Sequence, residues 1–123
     1  MKRVVIDTNV LINWYKKGSI TDISGLAAIS PIFSIITQIE ALGFRGITNK
    51  ETAVINSMLA TGELVYIDSE ITKQTIMLRQ EVKIKTPDAI IAATALINKA
   101  ELWTANTSDF LNIKGLRLYN PIR

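Results

Sequence analysis

Histidine and cysteine are both absent from this chain of 123 residues. Any chemistry it performs therefore falls to carboxylates, hydroxyls, amides, lysine or arginine. A histidine triad, a thiol nucleophile, a disulfide, a zinc–thiolate centre and an iron–sulfur cluster are excluded. Four of the eleven acidic residues stand beside apolar runs rather than on polar stretches. Asp7 directly follows Val4-Val5-Ile6. Glu40 lies four residues beyond Ile32-Phe33-Ser34-Ile35-Ile36, and Asp88 opens an apolar stretch from Ala89. Asp109 follows Leu102-Trp103-Thr104 after a short turn that holds Asn106, Thr107 and Ser108. If these four carboxylates converge, their mutual repulsion is severe, and a divalent cation relieves it. All-oxygen ligands favour Mg²⁺ or Mn²⁺. Such an ion activates water and neutralises charge on a phosphodiester, so the pattern points to metal-assisted hydrolysis.

Each acid also has a purely structural reading. Thr37-Gln38-Ile39-Glu40 has the form of a capping box. Asp88 suits a helix N-terminus through the macrodipole. Asn106 and Asp109 have capping spacing. Asp7 is the hardest to explain this way, because a carboxylate after a doubly buried strand is costly unless something pairs with it.

The elements that must position these residues alternate in type. Val4–Ile6 reads as a strand buried on both faces, with Thr8 and Asn9 capping a helix that runs to about Lys17 and stops at Gly18. A short helix is expected over 21–29. Pro31 opens a second strand over 32–36, and Thr37 starts a helix through Leu42. Asn49 caps the next helix, with Val54, Ile55, Met58 and Leu59 on one face. Residues 64–67 form a third strand. Ser69 caps a helix that turns Ile71, Leu78 and Val82 inward. Pro87 stands at the first helical position of an apolar, central helix over 89–99. Strands over 102–104 and 116–119 complete an α/β fold with a mainly parallel sheet. In open sheets of this kind, sites lie outside the carboxyl ends of the strands, where three of the four acids fall.

Composition agrees with a single domain spanning 1–123: 48% of residues are hydrophobic and 20% are charged. Only three apolar residues separate Lys2-Arg3 from Asp7. That is too short for a signal-peptide core, and no run approaches the roughly 18 apolar residues of a membrane span. A cytoplasmic protein with no membrane association is expected. The net charge is +3, and without the four acids fourteen basic residues face seven acidic ones. A basic scaffold around an acidic hole suits a nucleic-acid backbone. Candidate contacts include Lys2, Arg3, Lys16, Lys17, Arg45, Lys50, Lys83, Lys85 and Lys114. Val10, Leu11, Ile12, Trp14 and Tyr15 load one helix with apolar surface, read as either a core stripe or a dimer or partner face.

Four motifs in order carry a family resemblance: Val-Ile-Asp7-Thr8-Asn9-Val, Ile-Thr37-Gln-Ile-Glu40, Pro87-Asp88-Ala-Ile-Ile-Ala-Ala-Thr94-Ala, and Thr104-Ala-Asn106-Thr107-Ser108-Asp109-Phe110. Over essentially its whole length the chain resembles PIN domains, specifically the VapC-like toxin ribonucleases of toxin–antitoxin modules. The resemblance implies a three-layer α/β/α sandwich and an Mg²⁺/Mn²⁺ site made by Asp7, Glu40, Asp88 and Asp109. Asn9, Asn106, Thr107 and Ser108 take supporting roles. It also implies RNA cleavage by water to a 5′-phosphate and a 3′-hydroxyl, homodimerisation, and inhibition by a cognate antitoxin. Ala105 departs from the pattern, since many relatives carry a basic residue there. The alternative is a catalytically inactive PIN-like RNA-binding or protein-interaction module. A phosphoacceptor receiver domain fits poorly, because receivers carry adjacent acids after the first strand and here Asp7 is followed by Thr8. A DNA flap nuclease needs a clamp that this length hardly accommodates.

Overall fold

A computed structural model describes residues 1–17 and 28–122. The helix expected over 21–29 and the stop at Gly18 fall outside them, except that Ile29 already belongs to the second strand. Among the described residues five strands form one sheet: β1 (Lys2–Ile6), β2 (Ile29–Ser34), β3 (Glu63–Val65), β4 (Glu101–Trp103) and β5 (Leu118–Tyr119). Their order is β3-β2-β1-β4-β5, and every pairing is parallel. The described helices are α1 (Thr8–Lys17), α2 (Ile35–Leu42), α3 (Asn49–Leu59), α4 (Ser69–Glu81) and α5 (Thr86–Ile97), with a 3₁₀ turn over Thr107–Phe110.

The central strand explains the layering. Side chains alternate along a strand, so β1 feeds two cores. Val4 and Ile6 pack with Val10, Leu11, Phe33, Ala41 and Ile55 on the side of α1, α2 and α3. Val5 packs with Ile32, Leu102, Ile71, Leu78 and Ile91 on the side of α4 and α5. The result is the expected three-layer α/β/α sandwich. Ala89 to Ala95 is buried without interruption, so α5 is the central helix that its composition predicts. Each fully buried Val, Leu, Ile or Phe here contributes about 1.5–3 kcal/mol of transfer free energy.

Several boundaries differ from the sequence reading, each for a local reason. Ser34 Oγ accepts the Ile36 N–H at 3.1 Å, which ends β2 and starts α2 two residues before Thr37. Thr37 is then an inward, buried residue of the helix. The Thr37–Glu40 capping box does not form, and Glu40 sits in the body of α2 rather than its first turn. Thr48, not Asn49, caps α3, in a reciprocal box with Glu51. Asp68, not Ser69, caps α4 by accepting the Ile71 N–H at 2.9 Å. Pro87 follows Thr86 into α5. Tyr66 and Ile67 lie beyond β3 and are exposed. Gly62 leads into β3 against β2, where a Cβ would overlap the Pro31 carbonyl and the Phe33 ring. The apolar load of α1 is a core stripe: Val10 and Leu11 are fully buried, and Ile12, Trp14 and Tyr15 are half-buried against the same cluster. Among the described residues, no helix is long and apolar enough to cross a membrane.

Candidate active site

Asp7 occupies the joint between β1 and α1. Its N–H donates to the Trp103 carbonyl at 2.9 Å, extending the β1–β4 ladder one step past the strand. Its own carbonyl accepts the Val10 and Leu11 N–H groups at 3.1 and 3.2 Å, opening the helix. The backbone is thus held from both sides, and the side chain is 5% exposed. Asp7 Oδ1 accepts the Thr8 N–H at 2.8 Å. Oδ2 accepts the Thr104 hydroxyl at 2.7 Å and the Asn9 amide at 3.1 Å. Asn9 in turn accepts the Ala105 N–H at 3.0 Å, and Thr104 Oγ1 accepts the Asn106 N–H at 3.0 Å. These bonds stitch the end of β1 to the end of β4 around one carboxylate. Burial pushes its pKa up; the bonds from Thr104, Thr8 and Asn9 oppose the rise, and the charge of Glu40 adds to it.

Glu40 reaches the same place from α2. Its Oε1 accepts the Thr8 hydroxyl at 2.7 Å. The Thr37 hydroxyl stands 3.1 Å from that of Thr8. Thr8 has one hydroxyl proton and gives it to the carboxylate, so Thr37 supplies the proton of the second bond. Asp88 comes from the first turn of α5 and is half-buried. Burial raises its pKa first; the negative charges of Asp7, Asp109 and Glu40 raise it further, and Lys85 opposes them. The four acids therefore share one electrostatic neighbourhood.

They do not share one cavity. Asp7, Glu40 and Asp88 line an open cavity of about 580 Å³ together with Asn9, Asn106 and Lys16. Asp109 is exposed in the 3₁₀ turn and, with Ser108, lines a neighbouring cavity of about 570 Å³ that meets the first at Asp88. Thr107 lines neither. The capping reading of Asn106 and Asp109 reduces to a backbone bond, Asp109 N–H to the Asn106 carbonyl at 3.0 Å, with no side-chain cap. Thr8 and Thr37 enter the sequence reading only as helix starts, and Thr104 only as a strand and motif residue; none of the three is a predicted site residue. The available signal was a hydroxyl residue beside each acid-bearing joint, but their partners are 29 to 97 residues away.

The donor set fits a hard divalent cation. It is all oxygen, and two of its carboxyls have raised pKa values. Among the described residues no lysine or arginine forms an ion pair with any of the four acids. No three of these acids stand close enough together to grip one ion as a set. That matches Mg²⁺-type binding, in which one or two carboxylates coordinate directly and water completes the shell.

The PIN domain family model matches residues 4–116. The chain belongs to the PIN-domain family. It is 35% identical over 126 residues to Ribonuclease VapC1 of Methanocaldococcus jannaschii, covering 96% of this chain and 88% of that protein. Among solved structures it is similar to a toxin–antitoxin complex from Klebsiella pneumoniae, with a TM-score of 0.81, 34% identity and 98% of each chain covered. It also resembles VapBC2 from Rickettsia felis, bound to a DNA fragment from its promoter. There the TM-score is 0.86 at 21% identity, covering 96% of this chain and 98% of that one, a likeness of fold alone. VapC nucleases with a PIN domain are in general divalent-metal dependent.

Proposed function

We propose that this PIN domain is the toxin of a toxin–antitoxin pair and acts as an endoribonuclease, hydrolysing RNA phosphodiester bonds with Mg²⁺ or Mn²⁺. The observation that carries the reading is a family chain, 35% identical to a named ribonuclease, in which Asp7, Glu40 and Asp88 line one cavity without a cationic side-chain partner among the described residues.

In this reading Asp7 and Asp88 hold the metal, Glu40 completes the site, and Asp109 supports it from the adjoining cavity. When bound, the ion neutralises phosphodiester charge and lowers the pKa of water at the site. The chain supplies the rest. Thr8, Asn9 and Thr104 favour the ionised form of Asp7 against its burial and fix its orientation. The Thr8 hydroxyl occupies Glu40 Oε1, which leaves Oε2 to orient the attacking water. Asn106 holds the β4 end of the network through Thr104, and Thr107 and Ser108 shape the turn that carries Asp109. Attack by water leaves a 5′-phosphate and a 3′-hydroxyl. The similarity to the Klebsiella complex supports a protein antitoxin as partner. The reading includes a single PIN-like domain over 1–123, a homodimer and a cytoplasmic setting.

The test is end-mapping of RNA incubated with purified protein and Mn²⁺. Discrete cuts bearing 5′-phosphates, lost in EDTA and in Asp88→Asn, are expected. No cleavage with any divalent metal, from protein that still binds RNA or an antitoxin, would leave the inactive module as the better reading.

A further inference from the structure

The second cavity carries an unexplained charge pattern. In the first cavity Lys16 faces three acids, Asp7, Glu40 and Asp88. In the second, Arg79, Lys83 and Lys85 face only Asp88 and Asp109. The sign of the lining therefore reverses across Asp88, the one acid common to both.

The cations are there for a structural reason. Residues 82–85 join α4 to α5, and Val82 and Lys85 have extended backbones. Side chains along such a segment alternate. Val82 and Ile84 turn in and pack against the core under α5, while Lys83 and Lys85 turn out and are exposed. Arg79 reaches over the joint, its Nε 3.4 Å from the Ile84 carbonyl. Among the described residues these three cations have no carboxylate ion pair. Lys2 and Arg3, at the amino end of the central strand, are neutralised by Glu101 and Glu63 at 3.1 and 3.2 Å. Three cations without an ion pair thus stand together beside the acidic site.

We infer that the α4–α5 joint is the binding site for the substrate's flanking phosphates: Lys83 and Lys85, with Arg79 behind them, hold the backbone of single-stranded RNA on one side of the bond positioned at Asp88. This inference rests on the ribonuclease reading and adds direction to it. The strand enters along one particular cavity, and its phosphates are gripped where the lining is cationic. Asp88 and Asp109 repel a phosphate from the inner end, so the flanking phosphates sit on the lysine side.

The experiment measures binding of a short, random-sequence, fluorescent single-stranded RNA in EDTA, where no cleavage occurs, at several salt concentrations. Each neutralised phosphate of a single strand contributes about −0.7 to the slope of log K against log salt. Lys83→Gln/Lys85→Gln should make the slope shallower by about 1.4, so between about 50 and 200 mM salt the variant loses roughly sevenfold less affinity than the wild type. Lys83→Arg/Lys85→Arg should restore the wild-type slope. Lys99→Gln/Arg117→Gln removes equal charge at a separate cavity beyond the carboxyl end of α5 and should leave the slope unchanged. Equal slopes for the wild type and the Lys83/Lys85 glutamine variant, with RNA still bound and still cleaved in Mn²⁺, would overturn this inference and leave the ribonuclease reading intact. A wild type that neither binds nor cleaves RNA would overturn both.

Discussion

Thr104→Val separates the two roles of the Asp7 network, orientation and charge stabilisation. Valine keeps the β-branched shape at a fully buried position and removes the hydroxyl that donates to Asp7 Oδ2 at 2.7 Å. Hydrogen bonds to charged groups are worth about 1.5–3 kcal/mol, against about 0.5–1.5 for neutral ones. The Asn106 N–H also loses its acceptor. We expect a loss of about 2 kcal/mol at neutral pH, or roughly 6–12 °C in Tm for a domain of this size. The loss must depend on pH. Burial holds the Asp7 carboxyl above its ordinary value of 3.8. The stability tied to its protonated form is therefore fully present below the unfolded value and is lost as pH rises through the folded value. Without the Thr104 bond the folded value climbs further, so that loss extends to higher pH. The gap between wild type and variant should be small at about pH 4 and reach its full size by about pH 8. Urea melts of the metal-free proteins at the two pH values measure it, with the denaturant slope as a check on unfolding cooperativity. A gap of the same size at both, or below about 0.5 kcal/mol at the higher pH, would show that Thr104 does not hold the ionised carboxylate.

Three further expectations follow from the same geometry. Asp7→Asn should abolish RNA cleavage, and it should also lower Tm, because the Oδ2 position faces two donors and an amide nitrogen there leaves Asn9 unmatched; unchanged cleavage at saturating Mn²⁺ would refute the role of Asp7. Mn²⁺ at about 100 times its Kd should add roughly 2.7 kcal/mol to wild-type stability, and Asp88→Asn should blunt the gain while raising the metal-free Tm at neutral pH. That metal-free advantage should vanish as pH falls below the carboxyl's ordinary value of 3.8, since burial and acidic neighbours raise the folded value of Asp88; differential scanning fluorimetry across pH checks both. Gly62→Ala should cost about 1–3 kcal/mol in chemical denaturation, because its Cβ meets the Pro31 carbonyl and the buried Phe33 ring.

The parts of the fold legible in the sequence were those that depend on a residue's own neighbours. The β-branched run before Asp7, the apolar stretch of α5 and the alternation of strands and helices all declared themselves. Boundaries failed where two caps competed. Ser34 and Thr37 both suit a helix start, and the choice fell to Ser34, whose hydroxyl lies where β2 leaves the sheet. Thr48 and Asp68 displaced Asn49 and Ser69 by one position in the same way. At the site, the acids were legible because a carboxylate beside a buried run is unusual. The hydroxyls were not, because Thr8, Thr37 and Thr104 are ordinary until the sheet order brings β2 and β4 alongside β1. Asp109 is equivalent to Asp7 and Glu40 by chain order, yet the 3₁₀ turn displaces it into the adjoining cavity.

The bond between Asp7 and Thr104 joins residues 97 positions apart. On a ribosome, those residues are made at roughly 5–20 per second. Asp7 has therefore been polymerised for roughly 5–20 s before its partner exists, and β1 waits as long for β4. During that interval the growing chain gains Glu40 and then Asp88, but it has neither Asp109 nor the clamp that holds the central acid. The topology that puts the first strand in the middle of the sheet makes assembly of the site wait for the fourth strand.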